Sequence, residues 1–191
     1  MIRNKEQRVG IFIDVQNLYH SAKNLFGSRI NYQELIKEIT GGRKLIRVIG
    51  YVVKTDTTEG EASFFDALTK SGVELRTKDI QIFPGGAKKA DWDVGMAVDA
   101  IRTSSSIDTV ILVTGDGDFI PLVEYLKWGL GKTVEVAAFS RSTSLKLKES
   151  ADLFIALDEF PGVLLNAARR RRRAAAPKTD ARPDIINNTN F

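Results

Sequence analysis

Short apolar runs alternate with segments of helical periodicity along most of the chain. The apolar runs are rich in β-branched residues and predict strands at 8–14, 44–53, 73–78, 109–115, 133–139 and 153–157. Apolar residues recur at helical spacing in the segments 16–26, 32–39, 61–71, 91–104, 119–129 and a short one from about 144. Strands that are separated by helices need crossover connections, so the pattern predicts a mostly parallel sheet with helices on both faces.

Acidic residues follow two of the predicted strands. Asp14 ends the first strand, and Asp116 and Asp118 come directly after the fourth, one glycine apart. Ligands of open parallel sheets bind beyond the carboxyl ends of the strands, where the strand order reverses. If the first and fourth strands are neighbours there, these carboxylates converge at one rim.

Carboxylates crowded together raise each other's pKa unless a cation compensates their charge. Mg²⁺ or Mn²⁺ does so with oxygen ligands at about 2.1 Å, and keeps waters that can be activated. The alternative is that Asp118 caps the following helix through its free backbone N–H groups. Capping explains one of the two carboxylates after the fourth strand, and it is compatible with metal binding.

The helix at 91–104 carries further acidic residues. Asp93 and Asp99 lie six residues apart, about 240° around a helix, so they cannot share a face. We expect Asp93, in the first turn, to point to the rim, Asp91 to be the N-cap, and Asp99 to have a structural or outer-shell role. The apolar stripe of this helix is predicted to consist of Val94, Ala97, Val98 and Ile101.

The charge of the chain is concentrated at its C-terminal end. Residues 167–191 contain seven basic and two acidic residues, including five consecutive arginines, a net charge of +5 in a chain whose total is +4. The preceding part is therefore near neutral, at −1. We predict a folded domain over 1–160 and a disordered basic tail over 161–191, which serves either as a solubilising end or as a contact for phosphate.

Composition removes several classes of protein. The chain has no cysteine and one histidine, His20, so disulfides, thiolate metal sites and a Ser-His-Asp triad are not expected. No apolar run approaches the roughly 20 residues of a membrane span, and the start lacks a signal-peptide segment, so we expect a cytoplasmic protein without membrane contact. The GxGxxG of a dinucleotide oxidoreductase and the DxDx[TV] of a haloacid-dehalogenase-type phosphatase are absent after the first strand.

Three ordered motifs carry a family resemblance. The segments "FIDVQNLYH", "KADWDVGMAVDA" and "VTGDGDFIPLVEYLKWGLGKTVEV" resemble the NYN domain, in its bacterial LabA-like (DUF88) branch, within the PIN-like nuclease superfamily. The resemblance runs from about residue 8 to residue 158. It implies a Rossmann-like three-layer α/β/α sandwich, an acidic pocket that binds metal, and metal-dependent cleavage of RNA.

The resemblance also assigns residues. The catalytic and metal-binding positions that it implies are Asp14, Asp93, Asp116 and Asp118. Asn17, Asp99 and Thr114 fall on supporting positions of the same motifs. Asn17 either bonds to Asp14, orients the nucleophilic water, or caps the first helix. Thr114 either bonds a carboxylate or phosphate or is an ordinary residue at a strand end.

Basic residues near the predicted carboxyl ends of strands are candidates for phosphate contacts. They are Lys54, Lys88, Lys89 and Arg141. Each is also an unremarkable type of surface residue. Aromatic candidates for base stacking are Tyr19, Phe83 and Trp92, although packing in the core is an equally good explanation.

The function expected from these observations is metal-dependent hydrolysis of RNA. One or two Mg²⁺ or Mn²⁺ ions in the acidic pocket would activate a water and neutralise charge at phosphorus, so no protein nucleophile is needed. RNA is favoured over DNA as the partner, and a homodimer is possible. The strongest alternative is a non-catalytic regulator that binds RNA or a nucleotide in the same pocket.

Overall fold

The computed structural model describes residues 4–54, 59–82, 88–89 and 91–165. Six strands form one parallel sheet: β1 (Arg8–Asp14), β2 (Lys44–Lys54), β3 (Glu74–Asp79), β6 (Thr109–Val113), β7 (Thr133–Ala138) and β8 (Leu153–Ala156). Two further short strands, β4 (Gln81–Ile82) and β5 (Lys88–Lys89), pair with each other in antiparallel orientation, which the sequence pattern did not predict.

Helices cover both faces of the sheet. They are α1 (Val15–Phe26), α2 (Tyr32–Thr40), α3 (Glu59–Lys70), α4 (Asp93–Thr103), α5 (Ile120–Glu124) and α6 (Leu145–Ser150). None of the helices in the described ranges is long and apolar enough to cross a membrane. The predicted α/β sandwich with a parallel sheet is confirmed.

The sheet order is β3-β2-β1-β6-β7-β8, so the chain builds outward from β1 in one direction and from β6 in the other. These two strands are neighbours, with Ile13 opposite Val113. The order is that of a doubly wound fold, whose ligands bind at the carboxyl ends of the strands where the order reverses. The loops after Asp14 and after Val113 therefore meet at this rim.

Both faces of the sheet are packed. Along β1, Ile11 and Ile13 point to the layer of α1, α2 and α3, whereas Phe12 points to the layer of α4, α5 and α6. This alternation follows from the two-residue period of a strand. Since both faces are covered, the central strands consist of continuous apolar runs. All five residues of β6 are buried.

A buried ion pair fastens the first helical layer to the sheet. The Arg43 guanidinium donates to both carboxylate oxygens of Glu135 on β7, at 2.7 and 2.9 Å, and the two side chains are 1% and 0% exposed. Two further guanidinium N–H groups donate to the carbonyl oxygens of Ile39 and Thr40 at the end of α2. Four of the five guanidinium N–H donors thus have a partner, and additional hydrogen bonds of this kind are the condition under which a buried pair is tolerated.

The folded body continues beyond residue 160. Val163 and Leu164 are buried, the Val163 carbonyl accepts from the Asn31 backbone N–H at 2.8 Å, and Leu164 forms a bridge to Ile30. These five residues, 161–165, had been included in the predicted tail. The rest of that tail, with its arginine run, lies outside the described residues.

The helix that the pattern predicts over 119–129 is present, but only its middle part is α-helical. A 3-10 turn at Gly117–Phe119 leads into α5, which continues as a π-helical turn at Tyr125–Gly129. The Leu130 backbone N–H donates to the Tyr125 carbonyl at 3.1 Å, a step of five residues. A Cβ at position 129 would lie 3.0 Å from the Tyr125 ring, so Gly129 leaves room for that ring.

The buried pair gives the first prediction. Glu135→Leu leaves the Arg43 charge buried without its partner, so we expect the free energy of unfolding to fall by about 3–5 kcal/mol in urea denaturation. Adding Arg43→Met should recover much of the loss, because the lone charge is then gone.

The control is the exposed pair of Arg47 with Glu74, whose atoms lie 2.9 Å apart. Glu74→Leu should change the free energy of unfolding by less than about 1 kcal/mol, because solvent screens this pair. Equal losses for Glu135→Leu and Glu74→Leu would contradict the importance assigned to the buried pair.

Candidate metal centre

Three carboxylates from two separate segments meet at the rim of the sheet. Asp93 is the first residue of α4, Asp116 follows β6, and Asp118 lies in the 3-10 turn before α5. One carboxylate oxygen of each lies within 4.8 Å of the others. Asp93 and Asp116 are half-buried and Asp118 is exposed, so the cluster opens to solvent on the side of Asp118.

Asp14 lies beside this cluster without being part of the group of close oxygens. Burial raises the pKa of the Asp14 carboxyl, and the negative charges of Asp93 and Asp116 raise it further. A bond from the Asn17 backbone N–H to Asp14 Oδ1, 3.0 Å long, acts in the opposite direction. That bond makes Asp14 the N-cap of α1, and a hydrogen bond from the Gln16 backbone N–H also lowers the pKa of this carboxyl.

Negative charge is crowded at this rim. Burial is the largest cause that raises the pKa of Asp93. The negative charges of neighbouring carboxylates raise it further, in the order Asp116, Asp91 and Asp118. A cation held between these groups would remove the repulsion. The donors are all carboxylate oxygens, the ligand type that suits Mg²⁺ and Mn²⁺. Oxygens bound to one ion at about 2.1 Å lie at most about 4.2 Å apart, so the observed spacing of up to 4.8 Å needs only small rotations.

Capping after β6 is performed by Asp116, not by Asp118 as the sequence suggested. The Asp116 side chain accepts from the Asp118 backbone N–H at 3.0 Å, whereas α5 has Phe119 as its N-cap and no side-chain capping bond. The Asp116 backbone N–H in turn donates to Thr114 Oγ1 at 3.2 Å. The fully buried Thr114 therefore supports the loop that carries both carboxylates.

Asn17 joins the two loops that meet at the switch point. Its side-chain oxygen accepts from the Gly115 backbone N–H at 3.0 Å. This contact was not among the three roles considered from sequence, and the helix-capping role belongs to Asp14. Through it, the segment after β1 is tied to the segment after β6. Asn17 thus sets the separation of Asp14 from Asp116.

The two glycines of the "GDGD" segment are explained by close packing. A Cβ on Gly115 would lie 2.8 Å from the Ser142 carbonyl oxygen, and one on Gly117 would lie 3.1 Å from Ser144 Oγ. Neither glycine has a positive φ, so a special turn conformation is not the reason for them. The loop before α6 presses against the acidic loop and holds it from outside.

The start of α4 is held by Trp92. Its Nε1 donates to the Val52 carbonyl at 2.8 Å, and its ring packs on Tyr51. A Cβ at Gly95 would lie 2.5 Å from the same ring, so the glycine admits the indole. Trp92, not Asp91, is the N-cap residue, and it makes no side-chain capping bond. The indole hydrogen bond and packing fix the beginning of the helix instead.

Asp99 does not reach the acidic cluster. This buried carboxylate accepts from the Tyr51 hydroxyl at 3.2 Å and from Arg102 at 2.6 Å, and it pairs with Arg76 at 3.4 Å. Its neighbours agree with the structural role that was favoured from the helical angle. It ties α4 to β2 and β3.

The predicted apolar stripe of α4 does not face the core. Val94 is 74% exposed, Val98 52% and Ile101 37%, whereas Met96, Asp99 and Ala100 are buried. Asp93, Met96 and Ala100 share one face at helical spacing, and Val94 and Ile101 lie about 120° from the centre of that face. With Asp93 turned to the rim, the more apolar residues are turned outward.

The candidate phosphate contacts are only partly described. Lys54 at the end of β2 and Arg141 after β7 are exposed. Lys88 and Lys89 form β5, and their side chains lie outside the described part of the chain. Phe83 also lies outside it. Phosphate contact by these four basic residues stays a prediction.

The doubly wound parallel sheet and the acidic rim define an α/β protein of the PIN-like class. The NYN domain family model matches residues 8–158. The chain belongs to the NYN domain family, a family of PIN-like nuclease domains. The family predicted from the three motifs is therefore confirmed.

The chain is also similar to individual proteins, of which one is known by its sequence and one by its solved structure. The low amplitude and bright protein LabA of Synechococcus elongatus is 25% identical over 186 residues, which cover 91% of this chain and 96% of LabA. A solved structure of a protein of unknown function from Vibrio parahaemolyticus is 32% identical, with a TM-score of 0.77, over 86% of this chain and 100% of that one.

The crowding of carboxylates gives the second prediction. Mn²⁺ at about one hundred times its dissociation constant should raise the free energy of unfolding by about 2.7 kcal/mol. For a chain of this size, that corresponds to an increase of about 5–10 °C in the melting temperature. Asp93→Asn should lose this shift, measured by differential scanning fluorimetry.

Without metal, Asp93→Asn should unfold at the wild-type temperature or above it, because it removes a charge whose pKa is raised by burial and by its neighbours. Asp66→Asn, in an exposed pair with Lys70, serves as the control and should retain the Mn²⁺ shift. An equal shift in Asp93→Asn and in wild type would contradict metal binding at this cluster.

Proposed function

We propose that the protein is a metal-dependent ribonuclease that hydrolyses phosphodiester bonds at the acidic rim. Asp93, Asp116 and Asp118 would hold Mg²⁺ or Mn²⁺ together with Asp14. The observation that supports the proposal most directly is the convergence of three carboxylate oxygens within 4.8 Å at the switch point of a doubly wound sheet. The NYN domain family consists of PIN-like nuclease domains, which supports phosphodiester hydrolysis as the reaction.

A bound ion would offset the negative charge of the phosphate and lower the pKa of an attacking water. The chain's own contribution is the placement of its carboxylates. Asp93 and Asp116 are fixed by the start of α4 and by the capping bond after β6, so they need little reorganisation when substrate arrives. Asp118 is the exposed member and faces an approaching phosphate. A carboxylate of the cluster can take the proton of the attacking water.

Asn17 acts as a positioning residue in this proposal. Its bond to the Gly115 N–H holds the Asp14 loop against the loop that carries Asp116 and Asp118. Small displacements of such groups are costly for catalysis, because the reacting atoms must lie within a few tenths of an ångström of their productive positions. Exposed Lys54 and Arg141 would contact flanking phosphates.

The third prediction concerns cleavage of end-labelled single-stranded RNA and DNA with Mn²⁺, Mg²⁺ or EDTA. We expect the wild type to cut RNA in the presence of metal and to be inactive in EDTA. Asp14→Asn and Asp116→Asn should each lose at least about 10²-fold in rate, as is usual when a preorganised electrostatic group is removed. Circular dichroism checks that both variants are folded.

Asp66→Asn is the matched control, because it removes an exposed carboxylate from the distant helix α3. A contaminating nuclease would give the same cleavage with all four proteins, and this result would overturn the proposal. RNA binding that persists without cleavage in the wild type would also overturn it, in favour of a non-catalytic regulator.

A further inference from the structure

An apolar groove leads away from the acidic cluster between α4 and the segment that begins with α5. Its volume is about 340 Å³, within the size range of small-ligand sites. Val94, Ala97 and Ile101 line it from α4, and Pro121, Leu122 and Tyr125 line it from the other side. The outward-facing apolar residues of α4 therefore form one wall of a defined concavity.

Two carboxylates of the cluster, Asp93 and Asp118, also line this groove. The acidic site and the apolar groove are thus one continuous depression, charged at one end and apolar along the rest. Ala97 lies four residues beyond Asp93, or about 6 Å along the helix axis. A ligand with a phosphate at the charged end would place an attached apolar ring between the two walls.

Tyr125 offers an aromatic surface in this groove. It is 50% exposed, and its ring lies over Gly129, where a Cβ would come within 3.0 Å of it. Tyr125 also opens the π-helical turn of the segment, an irregularity that is often associated with functional sites. The ring thus packs against the next turn of its own helix, while a large part of it faces solvent.

We propose that this groove binds one nucleobase of a single-stranded RNA substrate, stacked on Tyr125, while the adjacent phosphate lies at the carboxylate cluster. The inference rests on the proposed function and adds a substrate subsite to it. Base stacking on an aromatic side chain supports binding without strong sequence preference, because every base has a π face. Sequence-tolerant recognition of single strands follows, since the bases of a duplex are already stacked and paired with one another.

A second copy of the chain is the main competitor for this surface. A protein segment that filled the groove would cover Asp93 and Asp118 as well, because they form its end. A protein segment bound in this way would keep phosphate away from the carboxylate cluster. A nucleobase is the occupant that uses the apolar walls and leaves the cluster to its own phosphate.

The test uses single-stranded RNA that carries one 2-aminopurine at successive positions, with the full-length protein and Mn²⁺. Stacking quenches the fluorescence of this base, so we expect quenching at one position in the wild type and in Tyr125→Phe. Tyr125→Ala should lose the quenching at that position and bind the RNA about tenfold more weakly or worse. Fluorescence anisotropy measures the binding.

Trp128→Ala is the matched control. Trp128 is 83% exposed and lies three residues from Tyr125, but it does not line the groove. This variant should keep the quenching and the affinity. Analytical ultracentrifugation of the same proteins detects any dimer that depends on Tyr125.

The outcomes separate this inference from the ribonuclease proposal, because stacking is measured without cleavage. Quenching that requires Tyr125 supports the subsite even if no RNA is cut. Metal-dependent cleavage with equal RNA binding by wild type and Tyr125→Ala, and no quenching at any position, would overturn the subsite alone. A dimer that Tyr125→Ala dissociates without affecting RNA binding would also overturn it, since the groove would then be an interface.

Discussion

The pairing of β1 with β6 is the constraint on which the site depends. These strands are separated by 94 residues of chain, from Asp14 to Thr109, yet parallel pairing brings their carboxyl ends to the same edge. Helices leave β1 and β6 on opposite faces of the sheet, so a depression opens between the two following loops. Asp14 reaches that depression as the last residue of β1, and Asp116 lies in the loop that follows β6. The bond from Gly115 to Asn17 then fixes the distance between the loops.

The crowded carboxylates at the rim destabilise the fold locally, and packing in the rest of the domain compensates for this. Burial and the negative charges of neighbouring carboxylates raise the pKa of Asp14 and of Asp93, so the ionised forms of these two groups are disfavoured here. Burial on both faces of the sheet and the buried contact of Arg43 with Glu135 hold the scaffold rigid under this repulsion. Clusters of perturbed carboxylates in a cleft are typical of functional sites rather than of structural ones. The geometry therefore favours a ligand with positive charge.

The sequence pattern was sufficient for the sheet, because β-branched runs and crossover helices leave few topologies. The strand ends predicted a common rim for Asp14, Asp116 and Asp118, and the first helical turn added Asp93. The close oxygens belong to Asp93, Asp116 and Asp118, with Asp14 beside them. The contact of Asn17 with Gly115 could not be predicted, because it joins residues 98 positions apart and depends on loop geometry. The Trp92 cap was missed for a similar reason: a hydrogen bond to Val52 and space at Gly95 replace the usual capping side chain.

The wrong prediction for α4 shows how the site and the surface are coupled. Hydrophobicity alone would turn Val94 and Ile101 to the core, but Trp92 and the Asp99 contacts hold the helix so that Asp93 faces the rim. The same rotation exposes the apolar face and forms the groove beside the cluster. Since the exposed groove residues Val94 and Tyr125 contribute little to the core, they can vary without disturbing the carboxylates. The arrangement thus separates the chemistry, fixed by the switch point, from the surface that would select the substrate.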